Sequence, residues 1–374
     1  MQNSTTVLVV GASAAGLATA ACLREKGVPF EVLEATDVVG TAWRHHYDRL
    51  HLHTPKSASA LPGTPMPRDW PRYPSRDQVV QYLEAYAAEH RIEPRFGQTV
   101  SRIERADGGG WDVRTQDTTW HAEHVVVATG ATRVPVRPTW LHLEDYRGQV
   151  LHSSEYRNGE PWRGGSVLVV GFGNSACEQA IDLVEHGVAA HLSVRSAVNV
   201  LPRDLLGIPV LQMGIAMRVL PTGVADALAA PLVRLTVGDI TKVGLRKLPY
   251  GPNTQIKNDR HIPLLDIGTM DHIKAGRITV HGDIARFTGT GVVFTDGSSL
   301  DVDAVVLATG YRPGLEELLP EADAVLDRDG RPTVSGGPTA LPGLWFCGQF
   351  VSPAGMLREM GIEAKRIATA ISRS

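Results

Sequence analysis

The stretch Val7–Gly16, VLVVGASAAG, decides the fold. Four consecutive apolar residues have the length of a buried strand, and the glycine-containing turn after them leads into a helical stretch that ends near Lys26-Gly27. A second apolar strand, Phe30–Leu33, follows and ends at Glu34. This order predicts a βαβ unit of the Rossmann type, in which the free amides at the helix N-terminus can hold a pyrophosphate.

The same pattern returns 160 positions later, in Val167–Ala176, VLVVGFGNSA. Its helical stretch ends at Gly187, and its second strand spans Ala190–Val194. One glycine motif is weak evidence, because such turns also serve structural purposes. Two motifs in register predict an α/β chain with two Rossmann-like dinucleotide-binding domains. Ser13 departs from the first motif, since its side chain stands where a glycine usually lets the backbone approach the phosphates.

The residues after the second strand of each βαβ unit distinguish the two predicted dinucleotide sites. Glu34 supplies a carboxylate that can accept hydrogen bonds from ribose hydroxyls, as FAD or NAD requires. Arg195 and Ser196 follow Val194 in the second unit, and a guanidinium with a hydroxyl suits a 2′-phosphate. We therefore expect FAD in the first unit and NADPH in the second. The alternative for Arg195 is a solvated charge at a strand end.

Two further segments resemble each other, 124–130 (HVVVATG) and 304–310 (AVVLATG). Each is predicted to be a buried strand that meets a tight turn, and its glycine lets the chain pass close to a ligand. Before the second segment, Asp296-Gly297 predicts a hairpin turn, and Gly108–Gly110 form a loop at the equivalent place before the first.

Composition excludes several classes of protein. The formal net charge of −3 provides no basic surplus for a phosphate backbone, so we expect no nucleic-acid partner. Cys22, Cys177 and Cys347 have no paired spacing, which argues against a disulfide framework or a redox pair and favours the cytoplasm. We expect no signal peptide and no membrane span. The apolar stretch 208–235 is interrupted by prolines and charges, and we interpret it as helices packed over a pocket.

Residues 146–156, YRGQVLHSSEY, resemble the FxGxxxHxxxY signature of class B flavin-containing monooxygenases, with tyrosine for the leading phenylalanine. Baeyer–Villiger members carry Trp-Pro where this chain has Tyr156-Arg157, which argues against that branch. The chain is most similar to the plant YUCCA-type branch, which converts indole-3-pyruvate to indole-3-acetate. The stretches that carry this similarity are 47–56 (YDRLHLHTPK), 82–87 (YLEAYA), 194–203 (VRSAVNVLPR), 265–269 (LDIGT) and 364–368 (AKRIA).

The resemblance implies a two-dinucleotide-binding flavoprotein fold. Its discontinuous FAD domain would comprise residues 1–160 and 290–374, and the inserted NADPH domain residues 161–289, with a helical segment near 205–240. A helix beginning near Ala354 would close over the flavin, next to a glutamine where many such flavoproteins place an aspartate. The FAD-binding residues expected from the resemblance are Gly11, Ser13, Ala14, Ala15, Gly16, Glu34, Ala35, Gly40, Thr41, Ala42, Trp43, Arg44, Leu52, Val100, Thr129, Gly130, Gly348 and Gln349. The residues expected to bind NADPH or to border the nicotinamide are Tyr156, Gly171, Phe172, Gly173, Asn174, Ser175, Arg195, Ser196, Ala308, Thr309, Gly310 and Tyr311.

The same resemblance implies a monooxygenase in which NADPH reduces the flavin and oxygen then forms a C4a-peroxyflavin. His53 stands where many N- and S-oxygenating members have asparagine, so we expect it to be catalytic and the substrate to be an apolar or aromatic 2-oxo acid, decarboxylated oxidatively. The alternative for His53 is a packed histidine bonded to the backbone. No acid or cysteine except Asp48 accompanies His45, His46, His51 and His53 at ligand spacing, and they lie in a loop next to the expected flavin site, so we expect no metal.

Other functions stay open at this point. They are an N- or S-oxygenating monooxygenase, a Baeyer–Villiger enzyme, an uncoupled NADPH oxidase, and a binding or sensing protein without turnover. A disulfide reductase fits least, because the cysteines are scattered. The expected partners are a small-molecule substrate and O2, and homodimerisation is left open.

Overall fold

The computed structural model describes residues 3–205, 207–210, 212–213, 220–259, 261–350, 352 and 355–374. The chain forms two compact units. Unit 1 comprises Met1–His45, Thr54–Val134 and Tyr311–Ser374, and unit 2 comprises His46–His53 and Pro135–Gly310.

The elements alternate between strands and helices. The strands are β1 (Asn3–Val10), β2 (Phe30–Leu33), β3 (Arg102–Arg105), β4 (Trp111–Arg114), β5 (Thr119–Val127), β6 (Val134–Pro135), β7 (Gln149–His152), β8 (Ser166–Val170), β9 (Ala189–Ser193), β10 (Val200–Pro202), β11 (Asp204–Leu205), β12 (Ile208–Pro209), β13 (Leu264–Asp266), β14 (Ile278–His281), β15 (Ile284–Phe287), β16 (Gly291–Phe294), β17 (Ser299–Asp301), β18 (Ala304–Leu307), β19 (Tyr311–Arg312) and β20 (Leu344–Phe346). The α-helices are α1 (Ala14–Glu25), α2 (Thr41–Arg44), α3 (Arg76–Glu89), α4 (Asn174–Glu185), α5 (Thr222–Val237), α6 (Pro252–Asp259), α7 (Thr269–Lys274) and α8 (Met356–Ile371).

Unit 1 is built on a mixed sheet with the strand order β2-β1-β5-β4-β3. Strand β5 is long enough to hold different neighbours along its length: Thr119–Ala122 pair antiparallel with β4, and Val125–Val127 pair parallel with β20. Val7–Val10 are buried, as a strand with apolar neighbours on both faces requires. The predicted first strand, helix and second strand are confirmed.

Helix α1 packs closely because its side chains are small. Ala14–Leu23 are all buried, and a Cβ on Gly16 would lie 1.8 Å from the Gly11 carbonyl oxygen. Alanine and glycine therefore bring the helix down onto the turn that precedes it, which fixes where its free amides point. Helix α8 contacts α1 in this unit.

Unit 2 is built on an all-parallel sheet with the order β14-β9-β8-β18-β7. Strands β8 and β18 lie inside it, and the four residues of Ala304–Leu307 are buried. A separate three-stranded antiparallel sheet, β15-β16-β17, contains the predicted hairpin at Asp296-Gly297. The second βαβ unit, from β8 through α4 to β9, is confirmed.

The three cysteines are free and buried, as expected from their apolar settings. Cys22 and Cys177 lie on α1 and α4, and Cys347 directly follows β20. Burial raises the pKa of each thiol, so none is poised as a thiolate at neutral pH.

Some expectations differ from the structure. The expected boundaries at residues 160 and 290 do not coincide with those of the compact units, because β7 and β18 pair within the sheet of unit 2.

Within the stretch expected to pack as helices, α5 exposes Val224, Leu228 and Leu235, and Ala225 is its only buried apolar residue besides Val237. Ala354 lies outside the described residues, and α8 begins at Met356. No helix in the described part of the chain is long and apolar enough to cross a membrane.

Candidate functional site

The carboxyl ends of four parallel strands meet at one edge of the sheet in unit 1. Val10 is in register with Leu33 and with Val127, and Val127 is in register with Phe346. The residues that follow these strand ends therefore lie together, and they include Gly11, Glu34, Thr129, Gly130, Gly348 and Gln349. This edge is where ligands bind in open α/β sheets.

The first glycine turn at this edge requires its glycine. Gly11 has a φ of +108°, and a Cβ there would lie 2.7 Å from the carbonyl oxygen of Ala128. Ser13 has a φ of −103°, which any residue adopts, and its side chain makes no capping bond. The departure from glycine at Ser13 therefore costs no backbone strain.

Glu34 has a structural task at the same turn. Its Oε2 accepts the backbone N–H of Ala12 at 2.7 Å, and its Oε1 accepts the N–H of Thr36 at 3.1 Å. The carboxylate thus ties the first strand–helix turn to the loop after β2. Oxygen lone pairs remain on both atoms, so this arrangement is compatible with accepting a ribose hydroxyl.

The segment Gly40–Arg44, also expected to hold FAD, closes the same loop. Gly40 has a φ of +72°, caps the short helix α2 and donates its N–H to the carbonyl oxygen of Ala12 at 3.1 Å. Arg44 pairs with Glu84, while Thr41 and Trp43 are half-buried. Backbone contacts therefore bring this segment to the first glycine turn.

Two side chains at this edge have buried polar atoms without a hydrogen-bond partner among the described residues. They are Gln349, through both Oε1 and Nε2, and Thr129, through Oγ1. Such atoms cost free energy unless a ligand or water satisfies them. Gly348, whose N–H donates to Glu363 at 2.5 Å, holds Gln349 in place. A polar cofactor such as a flavin dinucleotide fits this edge.

Unit 2 repeats the arrangement. Val170 is in register with Ser193 and with Leu307, so the second glycine turn again lies at a carboxyl edge. Gly171 has a φ of +129°, and a Cβ there would lie 2.5 Å from the carbonyl oxygen of Ala308. A Cβ on Gly173 would meet nothing within 4 Å, so the turn has open space before it. The two ATG segments thus supply the carbonyl groups against which the first glycines pack.

Two expected NADPH residues have roles in packing. The Asn174 side-chain oxygen accepts the N–H of Leu265 at 2.9 Å, which joins the start of α4 to β13. Phe172 packs against the apolar core of unit 2. Among the described residues of this unit, the buried Oε1 of Gln179 also lacks a hydrogen-bond partner.

Arg195 and Ser196 are exposed just beyond β9, as a 2′-phosphate site requires. A second arginine lies beside them: the Arg246 guanidinium donates to the backbone carbonyl oxygen of Arg195. Arg246 could not be predicted from the sequence, because it lies 51 positions from Arg195 and belongs to no motif.

The signature residues 146–156 brace the sheet of unit 2. The Tyr146 hydroxyl donates to the carbonyl oxygen of Val302 at 2.8 Å. The His152 Nε2 donates to the carbonyl oxygen of Gly310 at 3.1 Å, and burial lowers the pKa of His152. The signature therefore holds the turn after β18.

Tyr156, expected from the resemblance to bind a cofactor, lies in the core of unit 2. Its side chain is fully buried, its hydroxyl donates to Asp182 Oδ2 at 2.6 Å, and its ring stacks on Trp162. The phenol has no surface left for a ligand, and it serves as a core residue that anchors α4.

Leu52 and Val100 are also placed by packing. Leu52 is 6% exposed in the short segment His46–His53 of unit 2, and Val100 packs against the apolar cluster of unit 1. The cluster that Val100 contacts includes Val10, Leu33 and Val127, which end the strands at the carboxyl edge of unit 1.

His53 contacts a buried carboxylate within unit 2. Its Nε2 is paired with Glu178 Oε1, and the same oxygen accepts the Tyr47 hydroxyl at 3.1 Å. Glu178 is 1% exposed and lies on α4, one turn after Ser175. The expected alternative, a histidine bonded only to the backbone, does not describe this residue.

Two Rossmann-type units, each with a glycine turn at the carboxyl edge of its sheet, define a two-dinucleotide-binding flavoprotein. The chain belongs to the flavin-binding monooxygenase-like family, whose profile matches residues 4–321. Membership confirms the expected flavin and monooxygenase chemistry.

Several proteins resemble the chain along most of its length. The indole-3-pyruvate monooxygenase YUCCA1 of Oryza sativa subsp. japonica is 42% identical over 86% of this chain and 80% of that relative. The probable indole-3-pyruvate monooxygenase YUCCA4 of Arabidopsis thaliana is 38% identical over 90% of this chain and 82% of that relative. The expected similarity to the YUCCA-type branch is confirmed.

Solved structures share the fold. A flavin-containing monooxygenase from Stenotrophomonas maltophilia has a TM-score of 0.75 at 22% identity, covering 100% of this chain and 99% of that chain. An oxidized steroid monooxygenase bound to NADP has a TM-score of 0.79 at 18% identity, covering 99% and 86%. The predicted α/β two-dinucleotide-binding fold is confirmed.

Proposed function

We propose that this enzyme binds FAD at the carboxyl edge of unit 1 and NADPH at that of unit 2, and oxidatively decarboxylates an apolar or aromatic 2-oxo acid such as indole-3-pyruvate. When bound, FAD reduced by NADPH supplies the electrons that activate O2. The overall reaction converts the 2-oxo acid, O2, NADPH and H⁺ to the acid one carbon shorter, CO2, NADP⁺ and H2O. The observation that carries the substrate class is the identity of 42% with a rice indole-3-pyruvate monooxygenase over four fifths of that protein's length.

The residues of unit 1 support a dinucleotide with an unmodified ribose. The α1 amides after Gly11 would hold the pyrophosphate, and Glu34 would accept a ribose hydroxyl while keeping its two backbone bonds. Gln349 and Thr129 would satisfy their buried polar atoms on the same cofactor. The flavin domain of this proposal is thus unit 1.

Unit 2 supports a phosphorylated dinucleotide. The turn from Gly171 to Ser175 would hold its pyrophosphate, and Arg195 with Ser196 would bind the 2′-phosphate. Arg246 would fix the backbone of Arg195 through its bond to the Arg195 carbonyl oxygen. Within this proposal His53 is the catalytic residue, and its Nε2 is bonded to the buried carboxylate of Glu178.

The test is a product assay under air. Holoenzyme receives NADPH, catalase and either indole-3-pyruvate or phenylpyruvate, and the shortened acids are quantified against NADPH consumed. Catalase is required because free hydrogen peroxide decarboxylates 2-oxo acids without an enzyme. We expect close to one acid per NADPH, and the variant His53→Asn to lower this ratio.

Other outcomes identify the competing functions. Oxygenation of trimethylamine or a thioether without any shortened acid would indicate a heteroatom oxygenase, and ester formation from a ketone a Baeyer–Villiger enzyme. NADPH consumption that yields only hydrogen peroxide would indicate an oxidase. A folded, flavin-loaded protein that consumes no NADPH would indicate a binding protein.

A further inference from the structure

Glu178 is a carboxylate buried in the core of unit 2. It is 1% exposed and has no lysine or arginine hydrogen-bonded to it among the described residues. Burying a charge is costly unless hydrogen bonds compensate for it. Two side chains of the segment His46–His53 supply them, Tyr47 and His53, and both bond to the single oxygen Oε1.

This contact determines which nitrogen of His53 carries the proton. An ionised carboxylate only accepts hydrogen bonds, so Nε2 must donate. Nδ1 is then either an acceptor or, in the imidazolium form, a second donor. Nδ1 and the second oxygen of the carboxylate, Oε2, are both buried without a hydrogen-bond partner in the described part of the chain.

The pair formed by His53 and Glu178 is connected through Tyr47 to the start of α4, after the second glycine turn. Burial raises the pKa of Tyr47 well above its usual value, Glu178 raises it further, and the nearby Ser175 hydroxyl opposes the shift. Ser175 belongs to the first turn of α4, where the pyrophosphate is expected. The segment His46–His53 is also anchored independently, because Arg49 makes two bonds of 2.9 Å to Glu185, further along α4.

We propose that Glu178 is the positioning residue of His53: it binds Nε2, fixes the Nε2–H tautomer and leaves Nδ1 as the atom that exchanges a proton with a ligand. This proposal rests on the proposed function for the role of His53, but its geometry can be tested without turnover. In other sites too, a carboxylate orients one nitrogen of a histidine and the other nitrogen performs the acid–base step.

The test uses the full-length holoenzyme with ¹⁵N-labelled histidine. Long-range ¹H–¹⁵N spectra report the tautomer of each ring, and His53→Asn identifies the His53 signals among the 14 histidines. We expect the wild type to show His53 protonated at Nε2. Glu178→Gln can accept or donate at this position, so the preference for Nε2–H should fall at least about fivefold.

A matched control is Glu185→Gln, which removes a carboxylate from the same helix and loosens the same segment through Arg49. It should leave the His53 tautomer unchanged. Tyr47→Phe should also leave it unchanged, since the Glu178 contact to His53 stays. A shift of equal size in Glu185→Gln would show that Glu178 merely anchors the segment, and would overturn the proposal.

The activity readout separates the two proposals. Glu178→Gln should lower the shortened acid formed per NADPH at least about fivefold, with the KM for NADPH unchanged within about twofold. If the wild type forms no shortened acid, the proposed function fails, and the tautomer spectra still decide the role of Glu178. A wild-type His53 protonated at Nδ1 alone overturns the proposal, even if Glu178→Gln does not fold.

Discussion

His152 and Gly310 are joined across the sheet of unit 2: the Nε2–H of His152 donates to the carbonyl oxygen of Gly310 at 3.1 Å. On the other side of the ring, Nδ1 accepts the backbone N–H of Ser154 at 3.2 Å. The two bonds require the neutral imidazole, and burial lowers the pKa of His152 in agreement. The histidine of the family signature is therefore a brace for the turn after β18.

Replacing this brace should weaken NADPH binding. His152→Phe removes one of the two donors to the Gly310 carbonyl oxygen and leaves only the N–H of Val136, so we expect a loss of about 0.5–1.5 kcal/mol in unfolding free energy. The KM for NADPH should rise about tenfold, while the FAD content stays near the wild-type value. Urea unfolding and steady-state kinetics measure both. The control is His142→Asn, an exposed histidine of the same unit at a φ of +62°, which asparagine tolerates. Equal effects in both variants would contradict the role of His152.

The glycines 160 positions apart provide a second test. Gly11→Ala and Gly171→Ala place a Cβ 2.7 Å from the Ala128 oxygen and 2.5 Å from the Ala308 oxygen, so each turn must move. We expect Gly11→Ala to lose FAD, and Gly171→Ala to keep FAD but bind NADPH at least about tenfold more weakly. Gly27→Ala and Gly187→Ala are matched controls, because these glycines also have positive φ but open space around them. They should cost only about 1–2 kcal/mol of strain. Full flavin content in Gly11→Ala would contradict the assignment of FAD to the first glycine turn.

Arg195 should set the preference for NADPH. Removing its guanidinium deletes a charge-assisted bond to the 2′-phosphate, so Arg195→Ala should raise the KM for NADPH about 10- to 100-fold, equivalent to roughly 1.5–3 kcal/mol. The KM for NADH should hardly change. Arg246→Ala should give a smaller rise, because this arginine holds the backbone of Arg195. The exposed Arg234→Ala is the control. Parallel losses for NADH and NADPH would assign Arg195 a different role.

Acid should destabilise unit 2 through a histidine pair. His191 Nδ1 lies 3.1 Å from His281 Nε2, and burial, together with His281, lowers the pKa of His191 to about 4. The unfolded chain binds this proton near pH 6.5, so stability is fully present above that pH and falls between pH 6.5 and 4. His191→Gln should reduce this slope by about 1 kcal/mol per pH unit. Urea unfolding at pH 7, 6 and 5 provides the measurement, with His142→Asn as control. An unchanged slope would contradict the prediction.

Local pattern was enough to predict the strands and helices of both βαβ units, because a buried strand, a glycine turn and a helix occupy consecutive residues. It was also enough to place Gly11 and Gly171, whose conformation no other residue adopts easily. The contacts of His53 could not be predicted, since its partner Glu178 lies 125 positions away. The contacts of Tyr156 could not be predicted for the same reason: its partner Asp182 lies on a packed helix, and no spacing rule distinguishes a core phenol from a ligand-binding one.

Strand β5 pairs with β4 near its start and with β20 near its end, so the sheets of the two units become complete at different times during synthesis. The sheet of unit 2 has all its strands once Leu307 has left the ribosome, but the sheet of unit 1 waits for Phe346, although its first strand begins at Asn3. Nascent chains arrested with residue 330 outside the exit tunnel should therefore protect unit 2 from protease while β5, which still lacks β20, is cleavable. The end of β5, Val125–Val127, must therefore stay unpaired on one side until β20 emerges, which is the period when chaperones would have most to do.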